Sequence, residues 1–95
     1  MTMEINDLVH KTLDSIKEFK EECLENHILM HFISIMESER LPGRILGINA
    51  IVFLDRRYIY SEHYLRGLKL RLNAYDYNIT LCKNRIKVMF YIPIV

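Results

Sequence analysis

"RILGINAIVFLDRRYIY", residues 44–60, is apolar on both sides of an extended backbone, carries a Gly and an Asn within the run, and has two arginines at its tip. In a strand, side chains alternate between the faces, so Leu46, Ile48, Ala50, Val52 and Leu54 share one face and call for a covering layer of helices. Ile45, Ile51 and Phe53 point the other way and are apolar too. The second face therefore also needs a cover, from a partner chain or from another part of this one. Gly47 and Asn49 sit where crowding must be relieved or a bulge formed. Asp55, Arg56 and Arg57 make the turn into Tyr58, and the arginines read as a solvated tip.

Upstream of this stretch the period is helical. Ile5, Val9, Thr12, Ile16, Phe19 and Cys23 recur in steps of four and three, with Leu8, Leu13 and Leu24 widening the stripe. Asn26 breaks that helix, and "HILMHFISIM", residues 27–36, is apolar on most sides and reads as a second, more deeply buried helix. Leu41-Pro42-Gly43 ends the helical part, because the residue before Pro is pushed out of helical geometry and Gly admits positive φ. The helical part spans 3–39 and the β part 44–95, in a single domain.

Downstream, Tyr75, Tyr77, Ile79 and Leu81 alternate with polar residues, and Ile86, Val88, Phe90, Ile92 and Ile94 do the same in opposite phase. A two-residue turn at Lys83-Asn84 pairs Cys82 with Arg85 and Leu81 with Ile86, which puts both apolar rows on one face. Residues 61–72 allow two readings. Leu68, Leu70 and Leu72 fit a strand turning at Asn73-Ala74 into the next one, which is preferred; Tyr64, Leu65, Leu68 and Leu72 fit a helix capped by Ser61, weakened by Gly67. The fold class expected is α+β: one or two N-terminal helices packed on a mostly antiparallel meander of four to five strands.

The chain has 95 residues, enough for one core. With 51% hydrophobic and 26% charged residues it is globular, and a net charge of +1 supplies no global field toward nucleic acid or anionic lipid. The N-terminus lacks the basic and apolar segments of a signal peptide, and the longest apolar run, residues 88–95, is far short of a bilayer span. Cys23 and Cys82 read as two reduced thiols, and the compartment expected is the cytoplasm.

Cys23, His27 and His31 stand at i, i+4 and i+8 and would share a helical ridge, but the H-E-x-x-H pattern is absent and packing roles are the simpler reading. No metal or cofactor is expected. No nucleophile–base pair or phosphate-binding glycine loop stands out, so the chain reads as a non-enzyme. The candidate interaction residues are Tyr58, Tyr60 and Tyr64 after the arginines, and Lys69, Arg71, Arg85, Lys87 and Tyr91 on the outward face of the hairpins. The latter set, basic with an aromatic, also suits a nucleic-acid-binding module, the alternative reading.

Leu46, Gly47, Ile48, Ala50, Ile51 and Val52, preceded by helices, resemble a strand pattern of some small bacteriophage accessory and structural proteins: aromatic or Leu, Gly, Ile, x, x, Ile, Val. The likeness, taken over Arg44 to Tyr60, covers about a fifth of the chain; Asn49 stands where that pattern often has Pro, and no acidic cluster follows. It implies a virion component or an inhibitor of a host factor, and it carries no functional residue. The expected function is thus non-enzymatic protein interaction, by oligomerisation or steric occlusion of a protein partner. The apolar strand Ile86 to Val95, if at a sheet edge, invites pairing with a second copy.

Overall fold

The computed structural model describes residues 2–22, 28–57 and 62–94, the side chains of 2–4 excepted. In chain order they form α1 (Thr2–Glu22), β1 (Ile28–Glu37), β2 (Ile45–Asp55), α2 (Glu62–Leu72), β3 (Asp76–Leu81) and β4 (Arg85–Pro93). The strands make one antiparallel sheet in the order β1-β2-β4-β3. This is an α+β fold with both helices on one face: α1 lies against β1 and β2, α2 against β4, and the helices touch each other.

α1 buries Ile5, Thr12, Ile16 and Phe19, the expected stripe. Under it lie Ile48, Ala50, Val52 and Leu54 of β2 and Val88, Phe90 and Ile92 of β4, joined by Leu65, Leu68 and Leu72 of α2. Burial of each large aliphatic or aromatic side chain contributes about 1.5–3 kcal/mol. The β3–β4 hairpin has the register expected of a Lys83-Asn84 turn: Leu81 opposes Ile86, Asp76 opposes Tyr91, and the Cys82 amide donates to the Arg85 carbonyl at 2.9 Å.

Two segments differ from the sequence-based expectation. Residues 28–37 form a strand, not a second helix, and Leu41-Pro42-Gly43 joins two strands instead of closing a helical half. A run apolar on all sides has no period to separate helix from strand. Here the β-branched Ile28, Ile33 and Ile35 and an unpaired edge of β2 decide it, since β1 supplies the hydrogen bonds β2 needs on that side. Gly43, at φ 90, makes the turn, with the Ser38 amide donating to the Arg44 carbonyl at 2.8 Å.

Residues 62–72 form a helix, not the preferred strand. Leu65, Leu68 and Leu72 are the buried set, and Phe19 meets Tyr64 edge-on at 5.3 Å. The helix ends in a left-handed residue, Asn73, at φ 57. The Ala74 amide donates to the Lys69 carbonyl at 3.0 Å and the Asn73 amide to that of Leu70 at 3.1 Å. This is a Schellman cap with Asn in place of Gly, so Asn73 stops a helix where a hairpin turn was expected. The alternative cap, Ser61, lies outside the described residues.

With α2 between them, β2 and β3 run parallel, separated by β4, which is antiparallel to both. The sheet is therefore a split β-α-β arrangement and not a meander. β4 lies inside the sheet, so the expected edge strand has both its edges occupied; the free edges belong to β1 and β3. A bulge at Leu46, seen as the register shift from Met36–Gly47 to Glu37–Ile45, changes the phase of β2: Ile45 packs on the core and Leu46 is exposed. Beside it, a Cβ on Gly47 would lie 2.4 Å from the Ile92 carbonyl oxygen and 2.8 Å from Pro93 Cα, so only Gly lets β4 approach there.

The arginine tip is also more than solvated. Arg56 Nη1 donates to the Cys82 carbonyl at 2.6 Å, tying the end of β2 to the β3–β4 turn. Arg57 holds the buried Asp55 through Nε at 3.1 Å and Nη2 at 2.6 Å.

Candidate interaction face

The sheet face opposite the helices has no described element packed against it. Cross-strand register arranges it in rows. Met30, Phe53, Lys87 and Thr80 form one; Phe32, Ile51, Met89 and Asn78 the next; Ser34, Asn49, Tyr91 and Asp76 the third. Ile51, flanked by Phe32 and Met89, is buried yet lies outside the helix-side core. Met30 and Phe32 remain 45% and 42% exposed.

Polarity and charge vary across this face in two directions. In the first two rows it passes from Met, Phe and Ile on β1 and β2 to Thr and Asn on β3, while the third row is polar on β1 and β2 as well, with Ser34 and Asn49. Along the strands, one end carries Arg85 and Lys87 and the other Asp76. Arg85 stacks its guanidinium 4.6 Å from the centre of the Phe53 ring and reaches Met30 Sδ at 3.5 Å. Phe32 and Phe53 are 5.9 Å apart. At the other end, Tyr75 and Tyr91 meet edge-on at 6.3 Å beside a shallow hollow of about 360 Å3 lined by Met36, Asn49, Asn78 and Met89 as well.

Of the residues singled out from sequence, Arg85, Lys87 and Tyr91 share this face. Lys69 and Arg71 do not: both lie on α2, where Arg71 bonds Glu18 at 3.4 Å and also Glu22, tying the helices together. Tyr64 packs on Phe19 in that same layer, and Tyr58 and Tyr60 lie outside the described residues. Lys69 and Arg71 are absent from the outward face because the strand expected to carry them is a helix. Met30 and Phe32 were missed through their assignment to a helix, in a run whose apolar residues follow no strand period.

Cys23 and His27 lie outside the described residues, and His31 is on a strand, so no single helical ridge runs through all three. Among the described residues no group of three or more His, Cys, Asp or Glu could hold a metal ion. His31 is half-buried under the helices, and burial, then the charge of Lys20, lowers its pKa below the ordinary 6.5. At the end of the sheet a second hollow, of about 470 Å3, is lined by Leu29, Asp55, Arg56, Arg57, Lys83 and Asn84. Its arginines are already engaged with Cys82 and Asp55. Among the described residues no helix is long and apolar enough to cross a membrane.

No protein-family model matches this chain, and no curated protein or solved structure does so either.

Proposed function

We propose that this chain is a non-enzymatic binding protein that works through the open face of its sheet. The observation that carries this reading is the exposure of Met30 and Phe32, 45% and 42%, around a buried Ile51 on a face that no described element covers. Apolar side chains held rigidly on a sheet are the material of a protein interface, and Phe53, Met89 and Tyr91 extend the patch. Occlusion of a partner's surface or self-association needs nothing more. A nucleic-acid surface is less favoured. Arg71 and Lys69 are on α2, Arg85 is stacked on Phe53, and Asp76 stands opposite Tyr91, so no basic track crosses the face. The bacteriophage origin, with a place in the host cytoplasm or the virion, rests on the resemblance of the Leu46 to Val52 strand alone.

Phe32→Glu tests the reading, because it places a charge in the patch at an exposed site. It is expected to abolish association with any protein that the wild-type chain retains, without changing the circular dichroism spectrum. Retention of every partner by the variant, or retention of the wild type on heparin at low salt, counts against it.

A further inference from the structure

We propose that the open face pairs with the same face of a second copy, about a two-fold axis that crosses the strands along the Phe32–Ile51–Met89–Asn78 row. This rests on the reading that the open face is the binding surface. An isologous dimer must match a surface to itself, and the two gradients on this face restrict how. In the rows of Phe53 and Ile51 the polarity gradient runs across the strands, from apolar β1 and β2 to polar β3, and burial is most favourable where like meets like. The charge gradient runs along the strands, from Lys87 to Asp76, and is satisfied only if opposite ends meet.

An axis parallel to the strands fails the first condition, since it lays β1 over β3 and buries Phe32 against Asn78. An axis across the strands meets the charge condition and keeps like with like along the central row, where the apolar side chains are largest in number; in the outer rows it sets Met30 and Phe53 against the partner's Ser34 and the partner's Asn49. It stacks each strand on its own copy, sets Phe32, Ile51 and Met89 against themselves, and reverses the rows. Lys87 then faces the partner's Tyr91 and the partner's Asp76, gaining a cation–π and an ionic contact. Within one chain Lys87 opposes Thr80, two rows from Asp76, and forms no ion pair among the described residues.

The size is also sufficient. With strands about 4.8 Å apart and residues about 3.4 Å apart, the face covers on the order of 500 Å2 per copy, and a pair buries about 1,000 Å2, where specific interfaces begin. Sheets stacked in this way lie about 10 Å apart.

The test is sedimentation equilibrium on the full chain, with folding checked by circular dichroism. The wild type is expected to dimerise at micromolar concentration. Lys87→Asp and Asp76→Lys are each expected to weaken self-association about tenfold or more, by setting like charges together. Mixed in equal amounts, the two variants carry only opposite charges across the interface, and the mixture is expected to recover wild-type association. Should Lys87→Asp unfold, Asp76→Lys and Phe32→Glu carry the test, both weakening the dimer. Failure of two folded variants to recover on mixing overturns the arrangement. So does self-association that Phe32→Glu leaves intact, which would point to pairing through the free edge of β1. A wild-type chain monomeric at about 100 µM that retains another protein, and loses it with Phe32→Glu, overturns self-pairing and leaves the broader function standing.

Discussion

The two faces of this sheet are built from the same strands and both carry apolar residues, yet the helices cover only one of them. On the helix side, Ile48, Ala50, Val52, Leu54, Val88, Phe90 and Ile92 of the two central strands are at most 2% exposed, while Ile35 and Ile79 on the edge strands are 55% and 50% exposed. On the other side Met30 and Phe32, their near neighbours, are almost half exposed. Alternation makes two rows but does not say which row receives the helices. The covered row holds the fold together, and no described element covers the open row.

The sharpest way to break this comparison is to truncate one aromatic on each face. Phe90→Ala empties a fully buried site and is expected to cost about 3–5 kcal/mol in a denaturant titration, whereas Phe32→Ala is expected to cost less than about 1 kcal/mol in the monomer. Equal losses would mean that the open face is part of the core. Gly47→Ala probes the closest approach of β2 and β4. Its Cβ meets backbone atoms of Ile92 and Pro93, and overpacking of this kind is expected to cost about 1–3 kcal/mol in the same titration.

Gly67→Ala has the opposite sign. The added Cβ meets only Phe19 Cε2, at 3.9 Å, an ordinary contact, so α2 is expected to gain up to about 1 kcal/mol, seen as a higher denaturation midpoint. The smallest effect is in pH. His31 sits on the covered side with its pKa lowered by burial and by Lys20, so the unfolded chain binds the proton more readily than the folded one. Its contribution is complete above the ordinary pKa of 6.5 and declines as pH falls toward the folded value. Denaturation midpoints at about pH 7.5 and pH 5.5 are expected to differ, and His31→Gln to lessen the difference; an unchanged difference would place His31 outside the covered layer.

How far the fold was legible depended on whether a segment obeys one period or two. The stripe of α1 fits only a helix, and the β3–β4 hairpin fits only one register, because its phase reverses across two residues. Residues 62–72 satisfy both periods: Leu68, Leu70 and Leu72 alternate, while Leu65, Leu68 and Leu72 share a helix face. The interaction face was half legible for the same reason. The apolar Ile51 and Phe53 announced a second surface, but their companions Met30 and Phe32 lay in a run with no period to assign.

What the sequence by itself determined was local: an amphipathic helix, the phase of β2 beyond its bulge, and a hairpin whose register follows from its turn. The tertiary structure alone decided that residues 28–37 pair with β2 and that residues 62–72 coil, leaving Leu70, 74% exposed, as the cost of burying their other leucines. It also decided which face stays open. The described helices number two, and packing against each other as well as the sheet places both on one side. No periodicity within a strand records that choice, because it depends on segments far away in the chain.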